Sequence, residues 1–144
     1  MLEIRPKQIT IQTKYNDALY EWSKINEIIN RHNFKIKAFM SDHSIDVIPK
    51  NVSKLNLYDE LKIRNDLGPY DVIMCIGDNG KWPGNDFELL STDYSLSVDS
   101  VSTDENTCWN LSPPGYRNVS ACMKYFSAFV IDKNKFKFKC SSII

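Results

Sequence analysis

An α/β fold is predicted from three features of the sequence. The first third contains short stretches in which apolar and polar residues alternate, which is typical of half-buried strands. Residues 71–76, DVIMCI, instead contain a continuous apolar run, which suits a parallel strand covered on both faces. Helical periodicity separates the later strands. Together these patterns predict a parallel sheet with helices, preceded by an open-faced antiparallel α+β block.

The first block, residues 1–49, is predicted to run strand, helix, strand, strand. Residues 7–14 alternate as a strand. A helix is expected to open at Asn16 and Asp17 and to end near His32, because apolar residues recur there at helical spacing. Those residues are Ala18, Trp22, Ile25 and Ile29. The alternating stretches FKIKAFM and SIDVIP then predict a β-hairpin with a short polar connection.

The second block, residues 50–131, begins where Pro49 ends the hairpin. Ser53 can cap a helix, and the apolar strand at 71–76 follows. The inner face of that helix is predicted to carry Leu57, Tyr58 and Leu61. A short helix is expected at NDFELL and a strand at 94–98.

A last helix is predicted near the carboxyl end of the second block. Its apolar side comprises Val119, Cys122, Met123, Phe126 and Val130. Residues 132–144 alternate lysine with phenylalanine, and both an edge strand and a disordered tail fit this pattern.

Composition excludes several classes of function. The 144 residues carry 18 basic and 18 acidic side chains. With no net charge, the chain has no strong electrostatic attraction to nucleic acid or to an anionic membrane. No apolar run approaches the roughly 20 residues that cross a bilayer, and the start lacks the apolar segment of a signal peptide. A cytoplasmic location is therefore expected. The four cysteines lack metal-ligand spacing, and Cys75 is expected to be a buried thiol.

The chemistry is expected at the end of the apolar strand, where Asp78 follows directly after Gly77. Ligands of open α/β sheets bind outside the carboxyl ends of the strands. The loop after Asp78 closes with Asn85 and Asp86, which brings hard oxygen ligands of the kind that Mg²⁺ prefers. The simpler alternative is a solvated turn in which Asp86 only caps the next helix.

Lys54 adds a cation to this arrangement. It stands at the start of the helix before the apolar strand, from where its ammonium group can reach the strand ends and neutralise a phosphate. A lone lysine in a first helical turn is usually solvated. Only its combination with the acidic residues at the strand end therefore indicates a phosphate site.

These motifs resemble the haloacid-dehalogenase (HAD) superfamily. A hairpin running into I-P-K-N-V-S-K, a helix and a buried strand ending in G-D, then N-D, is similar to phosphatases with a C2-type cap. That group includes Cof-like, sucrose-phosphate and trehalose-phosphate phosphatases, and the similarity covers roughly residues 7–130. It implies that Lys54 steadies the phosphoryl group, that Asp78 and Asp86 hold Mg²⁺, and that Asn85 fixes the loop or phosphate. Residues 1–49 would then be the carboxyl part of the cap and 50–131 that of the core.

The sequence departs from the family pattern in two ways. Asp78 and Asp86 are eight positions apart, wider than the family spacing, so Asp78 is expected to be the stronger ligand. The inserted KWPG either aims Trp82 at the substrate or displaces Asp86 from the metal. The second departure is that no D-x-D is present, so the nucleophile and the acid-base residue of the family are absent.

The favoured hypothesis is the carboxyl half of a magnesium-dependent phosphatase for a sugar phosphate or similar phosphomonoester. It would be inactive alone and completed by a second chain, unless the chain pairs with itself as a homodimer across its exposed sheet edge. The alternatives are a non-catalytic binding or regulatory module on the same scaffold, and a receiver-like or nucleotide-binding protein. The last is disfavoured because the sequence lacks a P-loop and G-x-G-x-x-G.

Overall fold

The computed structural model describes residues 1–14, 17–64, 67–133 and 135–143. Its first part is an antiparallel sheet of four strands in the order β1-β2-β4-β3. The strands are β1 (Leu2–Arg5), β2 (Gln8–Gln12), β3 (Ile36–Met40) and β4 (Ser44–Pro49). The hairpin predicted from FKIKAFM and SIDVIP is confirmed as β3 and β4.

Helix α1 (Ala18–Arg31) covers one face of this sheet. Ala18 and Ile29 are buried as predicted, and Ile29 packs with Ala38 and Ile45 of the strands. The indole Nε1–H of Trp22 donates to the backbone oxygen of Ala38 at 2.8 Å. The predicted helix start at Asn16 lies outside the described residues. The opposite face of the sheet is turned toward the second part of the chain.

Strand β1 is an element that the sequence patterns do not predict. It is short, and all four of its residues are exposed. Among the described residues it pairs with β2 alone, through a two-residue turn at Pro6 and Lys7. Its sequence, LEIR, alternates apolar and polar residues, but over only four positions, the shortest stretch in which alternation indicates a strand.

The second part contains helix α2 (Leu55–Arg64) and the parallel strands β5 (Cys75–Asn79) and β6 (Ser95–Ser100). The predicted strand at 71–76 is wrong in its start, because residues 71–74 make no strand pairing. β6 begins at Ser95, opposite Cys75, so the residues before Cys75 have no neighbouring strand in the described chain. Gly77, Asp78 and Asn79 are themselves part of β5.

Two predictions about helices in this part need correction. In α2 only Tyr58 of the predicted face is buried, whereas Leu57 is 65% exposed and Leu61 is also exposed. NDFELL forms turns and a 3₁₀ segment at Leu89–Ser91 rather than an α-helix, since the loop is held by contacts to β3.

The last helix, α3 (Asn118–Ser127), turns a different face inward from the one predicted. Its buried residues are Ala121 and Tyr125, whereas Val119, Met123 and Phe126 are 77%, 62% and 55% exposed. The Tyr125 hydroxyl donates to the backbone oxygen of Ser97 at 2.8 Å, which ties α3 to β6. The side of α3 that carries Tyr125 therefore faces β6, because the buried hydroxyl forms its hydrogen bond there.

After α3 the chain forms a hairpin of β7 (Phe129–Asp132) and β8 (Lys135–Phe138), which a 3₁₀ segment at Cys140–Ser142 follows. Val130, which the periodicity places on the last helix, belongs to β7. Of the two alternatives for residues 132–144, the strand is confirmed for Lys135–Phe138, whereas Cys140–Ser142 form a 3₁₀ segment and Ile143 is buried in the core. Within the described ranges, no helix combines the length and apolar character needed to span a bilayer.

The loop after β5 joins the two parts. Met40 at the end of β3 donates its backbone N–H to the oxygen of Pro83 at 2.9 Å and accepts the N–H of Asn85 at 3.1 Å. The Asn79 side chain donates to the same Met40 oxygen at 3.2 Å. Lys37 of β3 bonds both carboxylate oxygens of Glu88, at 2.6 and 2.7 Å. These contacts bring the open face of the first sheet against the end of β5.

Candidate functional site

Asp86 is the buried centre of the candidate site, with 7% of its surface exposed. It reaches this position by folding back against β5, where a Cβ on Gly77 would stand only 2.5 Å from Asp86 Oδ2. A side chain at position 77 would therefore collide with the carboxylate. The absence of a side chain at Gly77 therefore allows the Asp86 carboxylate to pack against β5.

The two oxygens of Asp86 have different partners. Oδ1 accepts from the Lys54 ammonium group, and Oδ2 accepts the backbone N–H of Asp78 at 2.9 Å. Burial acts to raise the pKa of Asp86, but the hydrogen bonds from Lys54 and from the Asp78 backbone outweigh it and lower the pKa. Asp86 is thus held as an anion between a cation and an amide.

Asp78 has the opposite character. Asp78 is an exposed residue, but its carboxyl is partly desolvated. This partial burial, together with the neighbouring Asp86 carboxyl, raises the pKa of Asp78 above the usual value. It opens onto a polar cavity of about 290 Å³ and a shallower one of about 300 Å³. Asp78 is therefore the carboxylate that a ligand from solvent meets first.

The donor set is compatible in chemistry with Mg²⁺, which commonly takes one or two carboxylates and keeps several waters. Asp78 and Asp86 are adjacent, and the side-chain oxygen of Asn85 is buried with no hydrogen-bond partner among the described residues. Over the same residues, no three His, Cys, Asp or Glu side chains are grouped closely enough to hold a metal. The chain consequently offers a partial ligand set.

The inserted loop places Trp82 in an aromatic cluster. Its ring meets Phe87 at 5.3 Å and both Trp22 and Phe39 at 6.0 Å between centroids, each edge to face. Trp82 lines neither the two cavities at Asp78 nor a larger cavity at Lys54. The insertion does not separate Asp86 from Asp78, because Asp86 accepts the Asp78 amide.

The larger cavity, about 510 Å³, lies between the open face of the first sheet and the start of α2. Lys54 and Asn85 line it on the side of the carboxylate pair. Ser53 and Glu88 are joined by a 2.6 Å hydrogen bond at the same side. The cavity therefore adjoins the charged site through Lys54.

Of the predicted site residues, Lys54, Asp78 and Asp86 come together, and Asn85 lines the cavities beside them. Sequence reasoning missed Gly77, Phe39 and Ile48. The first has a visible signal, a glycine directly before the strand-end acid. The other two are apolar residues that share a sheet face with the polar side chains of β3 and β4, so their strands give no sign of a cavity.

Comparison with known proteins defines the fold class. No protein-family profile matches the sequence, and no curated protein matches it. Solved structures do match, and the chain has an HAD-like Rossmannoid α/β fold. One such structure is the sucrose-phosphatase from Synechocystis sp. PCC6803 in complex with sucrose and phosphate, with a TM-score of 0.61 and 14% identity. The alignment covers 88% of this chain and 55% of that one, so this chain spans little more than half of that phosphatase.

Proposed function

We propose that this chain is the carboxyl half of a magnesium-dependent phosphatase acting on a sugar phosphate or a similar phosphomonoester. The observation that carries the proposal is the contact of Lys54 with Asp86 beside Asp78 at the end of a parallel strand. Ligands of α/β sheets bind at this end, and the fold match to a sugar-phosphate phosphatase supports the same reaction class.

Each residue has a distinct part in the proposal. Asp78, with Asp86 behind it, would hold Mg²⁺, which when bound supplies positive charge to the phosphate oxygens. Lys54 would hold the phosphoryl group with its ammonium, a point charge suited to phosphate. Asp86 keeps Lys54 oriented, and Asn85 lines the space next to it. The chain thus binds and orients a phosphate but contains no D-x-D to attack it.

A second polypeptide segment carrying D-x-D is proposed to complete the site. Beyond β6, strand β5 has no other partner within the described residues. Val119 of α3 lines a shallow cavity together with Ile76 and Asp78 of β5. It is exposed, as are Met123 and Phe126, which share its side of the helix. An unpaired strand edge and an apolar helix side next to each other suit a β-α segment that would extend the sheet. A homodimer that pairs these edges is the competing arrangement.

Binding of Mg²⁺ and inorganic phosphate to the 144-residue chain tests the site. Asp78→Asn should abolish magnesium binding in a calorimetric titration, and Lys54→Ala should weaken phosphate binding about tenfold, the effect of a lost charge-assisted hydrogen bond. Asp93→Asn and Lys50→Ala change exposed side chains away from the site and serve as matched controls. If the two site variants bind magnesium and phosphate as well as the two control variants do, the proposed site is wrong. Phosphate binding that persists while D-x-D segments never restore turnover would favour a non-catalytic binding module.

A further inference from the structure

The 510 Å³ cavity has the size and the mostly apolar wall surface that are typical of a small-molecule site. Phe39, Ile48 and Val52 supply its carbon surface, with Pro6 at the turn between β1 and β2. Phe39 and Ile48 stand on the sheet face that α1 leaves uncovered. Neither belongs to the cluster that packs against α1. Phe39 is 5% exposed and its ring contacts Trp82, so it forms the floor of the cavity, and Ile48 is the more exposed of the two.

The acidic groups of the wall are already engaged within the chain. Asp46 accepts the Thr10 hydroxyl at 2.6 Å. Glu88 accepts from Lys37 at 2.6 Å and from the Ser53 hydroxyl at 2.6 Å. A polyhydroxylated ligand needs acceptors and donors that are not spent on the protein itself, since an unpaired polar group in a closed site loses its hydrogen bonds with water. Asp46 and Glu88 thus use part of their accepting capacity within the chain, and most of the wall surface left for a ligand is carbon. The Asn85 side-chain oxygen, buried and without a partner in the part of the chain that the structure describes, is an acceptor on the Lys54 side of the cavity.

Lys54 lies at the boundary between this cavity and the two aspartates. A phosphomonoester whose phosphate sits on Lys54 would place its alcohol part in the cavity. We propose that the cavity binds an alcohol part with a flat apolar face, such as an aryl or heteroaromatic ring, in preference to a free sugar. This rests on the proposed function and narrows its substrate class. The apolar area that an aromatic ring buries in the cavity would then favour an aryl phosphate over a sugar phosphate.

The test compares phenyl phosphate, glucose 6-phosphate, inorganic phosphate and phenol as ligands of the 144-residue chain, each titrated by NMR with Mg²⁺ present. Phenyl phosphate is expected to bind about tenfold more tightly than glucose 6-phosphate, as one well-buried ring face allows. Phenol alone should shift the resonances of Phe39 and Ile48. Ile48→Ser should remove most of this preference without changing the affinity for inorganic phosphate.

Ile131→Ser, an exposed β7 position outside the cavities, is the matched control and should keep the preference. Val52→Ser, in the loop before α2, is a second cavity variant at a position that belongs to no strand. Equal or tighter binding of glucose 6-phosphate, or a preference unaffected by both cavity variants, overturns the inference while the phosphatase proposal stands. If phenol shifts the resonances of Phe39 and Ile48 but no phosphate compound binds, the aromatic preference of the cavity is supported and the proposed phosphatase function is wrong.

Discussion

The position of the Asp86 carboxylate depends on a single missing Cβ. Asp86 lies against Gly77, and from there it meets both the Lys54 ammonium and the Asp78 amide. A buried carboxylate needs such partners, because an uncompensated buried charge costs several kcal/mol, about 3–5 in measured cases. The geometry of three charged side chains therefore rests on the residue that precedes Asp78 in the strand.

Gly77→Ala should displace Asp86 and weaken the site. Because the new Cβ would stand 2.5 Å from Asp86 Oδ2, the carboxylate must leave the position in which it meets both Lys54 and the Asp78 amide. We expect a loss of about 1–3 kcal/mol in the free energy of unfolding, the usual cost of overpacking, together with weaker magnesium binding. Urea unfolding and a magnesium titration measure the two effects. Gly68→Ala, whose Cβ would meet the Asp71 side chain no closer than 3.2 Å, is the control and should change neither.

At the scale of elements, the loop 81–85 acts as an extension of the first sheet. It pairs with the end of β3 through Met40 and carries Trp82 into contact with Trp22, Phe39 and Phe87. The inserted residues thus fasten the antiparallel sheet to β5. This contact also fixes the end of the loop, and with it Asp86, relative to the cavity behind Lys54.

Trp82→Ala should loosen this attachment. Edge-to-face aromatic contacts add to the burial of the ring, and the side chain is half exposed. We expect a loss of about 2 kcal/mol in the free energy of unfolding, below the full cost of a core tryptophan. Trp109→Ala removes a 63% exposed indole and should cost far less. If the two variants unfold at the same urea concentration, the aromatic cluster does not hold the parts together.

For the whole molecule, the sequence predicted those features that rest on strong local patterns. The alternation in β3 and β4 and the periodicity of α1 identify their elements because each has one clearly buried face. β2 was predicted from its alternation alone, although none of its residues is fully buried. The convergence of Lys54 with Asp86 followed from strand-end chemistry. The face of α3 could not be predicted, because two apolar sides compete and the hydrogen bond of Tyr125 to β6 is a tertiary contact. Similarly, the start of β5 is set by its neighbour β6, which local sequence does not contain.

The isolated chain should not hydrolyse phosphomonoesters at a significant rate. The proposed site would stabilise charge through Lys54 and a metal at Asp78, but no carboxylate stands in a D-x-D to attack phosphorus, and water would lack a positioned base. A segment carrying D-x-D, fused or added, should produce magnesium-dependent release of phosphate, and Lys54→Ala should then reduce it. Phosphate release is measured with and without the segment, and a segment with D-x-D changed to N-x-N is the control. Turnover by the purified chain alone, abolished by replacing one of its own aspartates, would mean that the nucleophile is already present and that the chain is a complete enzyme.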